Sequence, residues 1–306
     1  MIKVSVLGLK NPLILSPLAE ITIPPFRRIC AEFGAVTISE MTYAKGILHK
    51  NPKSLRRITR AETEEKYGIQ LLTNNPDDLV NTIELIESEN LSDFIELNLG
   101  CPKPKITNAG LGAYLLIVQN HILLKELLEI GSTSSKLPFA VKIRAGFNEI
   151  TYPEVIKIAE KAGVSFITFH SRLATDNYQI PAKWDYWEQA VKYSTIPIIA
   201  NGDIRSYDHA CQVINQFGVK GVAIGRSARG NPQIFQKKPQ ISSQYTYDRL
   251  IQYMENTEYF NLFNLRVQSS DFLKHFRYAA NARKNILSMN KPREIIEYTR
   301  EMLGEH

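Results

Sequence analysis

The feature that most restricts this chain is an alternation of short apolar runs with amphipathic segments, repeated eight times. The apolar runs fall at 12–19, 36–41, 67–73, 94–100, 139–145, 165–171, 197–203 and 221–226. They are rich in Val, Ile and Phe and read mostly as continuous apolar stretches, as strands of a parallel sheet covered on both faces do. Helical segments lie between them. The segment 24–34 opens on prolines, which suit a first helical turn. The segment 76–90 has acids in its first turn and Leu79, Ile83 and Ile86 at helical spacing. The segments 151–163 and 206–218 each end on a glycine, a helix stop signal. Eight β-α units predict an α/β fold, a closed (β/α)8 TIM barrel, with an open doubly wound sheet as the alternative.

The pattern changes near 235. The stretch 237–248 is polar and reads as a linker, and 247–304 holds helix-like segments with no convincing strand. A chain of 306 residues suits one barrel plus a small appendage, or two ordinary domains. We therefore expect a barrel domain over 1–237 and a small all-helical domain over 238–306. No apolar run reaches membrane-spanning length. The N-terminus, MIKVSVLGLKNPLILSPLAE, reads as a first strand or hairpin rather than a signal peptide. A cytoplasmic monomer with no obligatory protein partner is the default expectation. The three cysteines are widely spaced and suggest neither a disulfide framework nor a metal site. Cys30 and Cys211 lie in helix-like segments and read as small buried hydrophobes. Cys101 differs, because it sits in a Gly-Cys-Pro turn directly after a strand. The net charge of +6 permits a polyanionic partner.

In a (β/α)8 barrel the functional groups sit at the C-terminal ends of the strands. Those ends carry Ser16-Pro17-Leu18-Ala19, Glu40-Met41, Gln70, Asn98 through Pro102, Lys142 and Arg144, His170-Ser171-Arg172, Asn201-Gly202-Asp203 and Gly225-Arg226. The last two sets lie in loops that often bind phosphate. Gly202, Gly225 and Gly230 would let backbone N–H groups approach an anion, and Arg226 could clamp it. Lys142 needs an anionic partner inside a barrel: either a negatively charged ring system or a salt bridge with Glu40 or Asp203. Cys101 is a nucleophile, a proton donor or an inert thiol on this reading.

Several stretches together resemble the tRNA-dihydrouridine synthases. They are SPLAEITIPPFRRICAEFGA (16–35), SEMTYAKG (39–46), IQLLTNNPDDL (69–79), IELNLGCPKPKITNAGLGAYLL (95–116), VKIRAGFN (141–148), FHSRLATDNYQIPAKWDYW (169–187), IPIIANGDI (196–204) and GVAIGRSARGNPQIF (221–235). LKHFRYAANARKNIL (273–287) is similar to the family's helical domain. The resemblance implies FMN as cofactor, NADPH or NADH as electron donor and tRNA as substrate. It implies that Pro17, Leu18, Ala19, Gln70, Lys142 and His170 lie around the flavin ring. Asn201, Gly202, Asp203, Gly225 and Arg226 would hold the ribityl chain and phosphate. Asn98 would position the uracil and Cys101 would protonate it. Arg172, Lys274, Arg277 and Arg283 would hold RNA. The segment 237–306 carries 11 Lys and Arg against 8 Asp and Glu, in keeping with that role. The resemblance departs after His170. The family's Gly-Arg-Thr-Arg reads Ser171-Arg172-Leu173-Ala174, and its Tyr-x-Gly reads Tyr178-Gln179-Ile180. The resemblance implies that these changes fall on a loop that reaches toward the RNA. Another FMN-barrel oxidoreductase of pyrimidines, of the dihydroorotate or dihydropyrimidine dehydrogenase kind, is one alternative. A tRNA-binding protein without catalysis is another.

Overall fold

The computed structural model describes residues 6–10, 12–237, 241–274, 276 and 278–304. Its strands are β1 Leu13–Leu15, β2 Val36–Ile38, β3 Thr42–Tyr43, β4 Tyr67–Leu72, β5 Phe94–Leu99, β6 Phe139–Arg144, β7 Ile167–His170, β8 Ile198–Asn201 and β9 Gly221–Ile224. Neighbours pair in parallel, in the order β2-β1-β9-β8-β7-β6-β5-β4-β3. A further pairing of β2 with β4, Thr37 to Tyr67 and Ile38 to Gly68, closes the ring. The fold is thus the (β/α)8 barrel, and closure removes the open-sheet alternative. Each apolar run of the sequence contains one barrel strand, shorter than the run. The two-residue β3, paired with β4 outside that ring of eight, has no signal of its own. Within the N-terminal stretch, Val6 and Leu9 form a short antiparallel bridge, a tight hairpin, ahead of β1.

The helices are α1 Pro24–Glu32, α2 Ala44–Leu48, α3 Pro52–Ile58, α4 Pro76–Ser88, α5 Pro104–Thr107, α6 His121–Ser134, α7 Tyr152–Ala162, α8 Asp185–Tyr193, α9 Tyr207–Phe217, α10 Ser243–Met254, α11 Leu262–Phe272, α12 Ala279–Ser288 and α13 Pro292–Gly304. Local chemistry starts them. Asn75 Oδ1 accepts the Asp78 N–H at 2.8 Å to cap α4, and Ser206 Oγ caps α9 through the His209 N–H at 3.1 Å.

Side chains of a barrel strand point alternately inward and outward. Outward residues such as Leu97, Val141 and Ile167 join the large core under the helices. Inward residues at the strand starts, among them Ile14, Val36, Phe94, Ala140, Phe166 and Ile199, pack into a separate apolar plug. Gly68 makes room for it, because a Cβ there would lie 2.3 Å from the Phe94 ring. Towards the C-terminal ends the same inward parity carries Gln70, Glu96, Asn98, Lys142, Arg144, Thr168, His170 and Asn201. The plug closes one end of the barrel and leaves a polar mouth at the other.

The four C-terminal helices pack on the barrel and on each other. Tyr247 and Phe272 meet edge-on at 5.3 Å in their core, and the Tyr247 hydroxyl lies 2.7 Å from Ser269 Oγ. Gln268 donates to the Ile21 carbonyl at 3.0 Å, and Arg249 pairs with Glu32 of α1 at 3.1 Å. Among the described residues no helix is long and apolar enough to cross a membrane.

Candidate active site

The C-terminal mouth opens into a cavity of about 770 Å³. Pro17, Leu18, Ala19, Gln70, Asn98, Cys101, Lys142, His170, Arg172, Asn201, Gly202, Asp203, Gly225, Arg226 and Lys274 all line it. Arg283 does not: it lies exposed on α12. Arg277 lies outside the described residues. Cys30 is buried as expected, whereas Cys211 is only half-buried.

A chain of buried hydrogen bonds sets the floor. Glu96, on β5, accepts from Gln70 Nε2 at 2.6 Å and from Thr168 Oγ1 at 2.9 Å. Gln70 Oε1 in turn accepts from Asn98 Nδ2 at 2.9 Å, and Asn98 Oδ1 accepts the backbone N–H of Cys101 at 2.9 Å. Side chains from β4, β5 and β7 thereby fix the Gly-Cys-Pro turn. Burial pushes the Glu96 carboxyl above its ordinary range, against the pull of Lys142 and of its two donors. Arg144 secures the turn from the other side, donating to the Gly100 carbonyl at 3.0 Å and the Leu173 carbonyl at 2.7 Å. Cys101 itself is half-buried, on the cavity wall.

Lys142 meets neither Glu40 nor Asp203. It donates to Asn201 Oδ1 at 2.9 Å, and Glu96 is the carboxylate that acts on it. Burial pulls its pKa down to about 8, opposed by Glu96 and aided by Arg144. Asn201 is held by Ser16 Oγ at 3.1 Å and the Ala223 carbonyl at 2.7 Å. His170 is held well below its usual pKa by burial and by the cations of Lys142, Arg144, Arg172 and Arg226. Its Nε2 lies 3.1 Å from Arg172 Nη1. Arginine can only donate, so Nε2 accepts and the imidazole proton sits on Nδ1.

Arg172 is 1% exposed and internally engaged. Besides His170, it donates to the Ile180 carbonyl at 2.6 Å and to Asp203 Oδ2 at 2.6 Å. Asp203 Oδ1 takes Arg226 Nη2 at 2.7 Å. Burial raises the Asp203 pKa, but hydrogen bonds from Arg172 and the Ala182 N–H, with the charges of Arg172 and Arg226, bring the net value below the usual carboxylate range. Tyr178, in the departed loop, lies over the Arg226 guanidinium at 4.3 Å and stacks towards His170 at 6.4 Å. Gly230 serves elsewhere: a Cβ there would sit 2.1 Å from the Asp271 carbonyl, so it allows the loop after β9 to meet α11.

Three site-builders, Glu96, Arg144 and Tyr178, have roles that the sequence pattern does not assign. Glu96 has a signal: within FIELNL, Glu96 and Asn98 share the inward parity of Phe94. The roles of Arg144 and Tyr178 depend on contacts far apart in the chain, which no local pattern carries.

A closed β/α barrel that gathers a thiol, a buried lysine, an imidazole and clustered arginines at the C-terminal mouth has the architecture of a barrel enzyme. Residues 14–302 match the family model described as Dihydrouridine synthase (Dus), and the chain belongs to that family of oxidoreductases. It is 33% identical over 233 residues to a probable tRNA-dihydrouridine synthase of Aquifex aeolicus (strain VF5), covering 74% of this chain and 72% of that protein. It is 34% identical over 230 residues to tRNA-dihydrouridine synthase B of Pasteurella multocida (strain Pm70), covering 74% and 68%. Among solved structures, histamine dehydrogenase from Rhizobium sp. 4-9 superposes with a TM-score of 0.56 at 12% identity, over 86% of this chain and 49% of that one. That likeness concerns the fold alone.

Proposed function

We propose that this protein reduces the C5=C6 bond of uridine in tRNA, with FMN in the barrel mouth, NADPH or NADH as reductant and Cys101 as proton donor to C5. The observation that carries the reading is the joint placement of Cys101, Lys142 and the Asp203–Arg226 cluster around one cavity. The fit to FMN rests on that cavity. Its volume of about 770 Å³ falls within the usual range for small-molecule sites. The backbone N–H groups of Gly225, Arg226 and Ser227 have no acceptor among the described residues. They line the mouth beside Arg226, which is the donor set a phosphate uses.

Bound there, FMN supplies hydride, ultimately from NAD(P)H, to C6 of the base. Lys142, Gln70 and His170 would hold the ring, Lys142 supplying positive charge to it, and Gly202, Asp203, Gly225 and Arg226 would hold the chain and phosphate. Hydride addition to C6 leaves carbanion character at C5, and the Cys101 thiol delivers the proton that completes dihydrouridine. The thiolate then regains its proton from solvent. Asn98 fixes the Cys101 turn and orients Gln70. A base in folded RNA is extruded to enter the mouth, and 238–306 acts as the domain that grips the RNA.

The test is spectral and chemical. Purified protein should carry, or take up, FMN; NADPH should bleach the flavin, and uridine-bearing tRNA should restore its colour while gaining dihydrouridine. Protein that cannot be loaded with FMN overturns the reading.

A further inference from the structure

Lys274 follows α11, in the C-terminal helical region, yet its side chain lines the cavity beside Gly225, Arg226 and Ser227. Its ammonium donates to the Arg226 carbonyl at 2.6 Å. Two N–H groups remain. The carboxylate that acts on it is Asp271, whose two oxygens each already accept from Arg229, at 2.8 and 2.5 Å. Asp203 is shared as well, accepting from Arg172, Arg226 and the Ala182 N–H. Arg172, Arg205, Arg226 and Lys274 thus line this end of the cavity against one carboxylate, Asp203. Burial, reinforced by Arg226 and Arg229, draws Lys274 down to about 8 against the pull of Asp271. Such a cation excess, half out of water, calls for a bound anion.

We propose that Lys274 completes the phosphate subsite of the flavin cofactor, so that the helical region contributes a cofactor ligand rather than an RNA contact at this position. The inference rests on the FMN reading given above. The segment carrying Lys274 is placed rigidly for the task. The Arg229–Asp271 pair and the Gly230 close approach clamp it to the same loop that offers the Gly225–Ser227 N–H groups. A lysine ammonium acts on phosphate as a point charge, so arginine at this position keeps the attraction while a neutral side chain of similar length loses it.

The test compares FMN with riboflavin, which has the same ring and chain and no phosphate. Flavin-free full-length wild type, Lys274→Met and Lys274→Arg are titrated with each at pH 7, followed by quenching of flavin fluorescence. The expected result is about 10- to 100-fold weaker FMN binding by Lys274→Met, the scale of a lost charged hydrogen bond. Riboflavin binding should stay at the wild-type value, which also reports on folding, and Lys274→Arg should retain most FMN affinity. With saturating FMN, Lys274→Met should bind tRNA as wild type does. Unchanged FMN affinity, equal loss of FMN and riboflavin, or lost tRNA binding with FMN affinity intact would each overturn the assignment of Lys274. Failure of wild type to take up either flavin would instead overturn the FMN reading beneath it.

Discussion

Two arginine–carboxylate clusters sit in this barrel, one fully buried and one at its mouth. One lies between α1, the end of α3 and the segment before β4. There Arg27 donates to Glu64 at 2.8 Å, to the carbonyls of Thr22 and Arg57 at 3.1 and 3.3 Å, and to that of Thr59. Glu64 also accepts from Thr37 Oγ1 and the Ala61 N–H. Both side chains are fully buried, and all three guanidinium nitrogens are engaged. The other cluster, Arg172–Asp203–Arg226, opens onto the mouth. Exposure rises along it from 1% through 16% to 45%. The first cluster is closed, balanced and apart from the mouth. The second keeps positive charge in excess, facing a space that a ligand can fill. The same chemistry is wholly internal in the first cluster and leaves one face open to the cavity in the second.

Breaking the closed cluster should have the largest effect. Arg27→Ala leaves Glu64 buried without a counter-charge, and we expect a loss of about 3–5 kcal/mol in chemical denaturation. Flavin affinity of the folded fraction should not change. A stability change under about 1 kcal/mol, that of a surface pair, would erase the distinction.

Breaking the open cluster should act on binding first. Asp203→Asn frees both arginines from their anchor and should weaken FMN by about 10- to 100-fold, at a stability cost nearer about 1–2 kcal/mol because cavity water reaches the site. Acid should act similarly. The Asp203 pKa is lowered in the folded protein, so its contribution is intact above the unfolded carboxylate value of about 4 and is lost as pH falls from there through the folded value. Equal FMN affinity in Asp203→Asn and wild type at pH 7 would show that the anchor is dispensable.

Lys142, whose burial outweighs the pull of Glu96, sharpens the comparison through pH. Without flavin, burial pulls the Lys142 pKa down to about 8 from its ordinary 10.5. Between those values the unfolded chain holds a proton that the folded one has released, so stability rises with pH across that window. Denaturation of wild type against Lys142→Met should therefore show a deficit for wild type at pH 7 that narrows by about pH 9.5. A constant difference would mean that Lys142 is compensated, as Arg27 is. The smallest effect should come from the exposed Arg283. Arg283→Glu should raise the apparent Kd for tRNA about several-fold at low salt and less at high salt, without altering flavin reduction by NADPH.

Much of this architecture is legible in the amino-acid sequence. The eight strands announce themselves because buried parallel strands are apolar on both faces. The mouth residues follow, because strand ends in a closed barrel converge. The sequence shows that Lys142 needs a partner, but not which one. Asn201 lies 59 residues further on and faces it only through the β6–β7–β8 register. Glu96 is hidden because the segment 94–100 reads as one apolar run when its two faces are not separated. Arg172 has the look of an RNA contact at a loop position. Its three engaged nitrogens make it the strut between His170, Asp203 and Ile180. Ala174 is buried where the family carries its second arginine, and Tyr178 covers Arg226.

The central claim is that the Gly-Cys-Pro turn, fixed by Asn98 and Arg144, presents a proton donor to a base reduced in this mouth. The most direct measurement uses FMN-loaded Cys101→Ala beside wild type, with NADPH and tRNA purified from cells lacking this gene. Flavin bleaching by NADPH and dihydrouridine formation are followed in the same sample. The account expects bleaching at the wild-type rate and dihydrouridine formation slowed by about 100-fold or more, the scale of a lost general acid. Dihydrouridine formed by Cys101→Ala as fast as by wild type would contradict it.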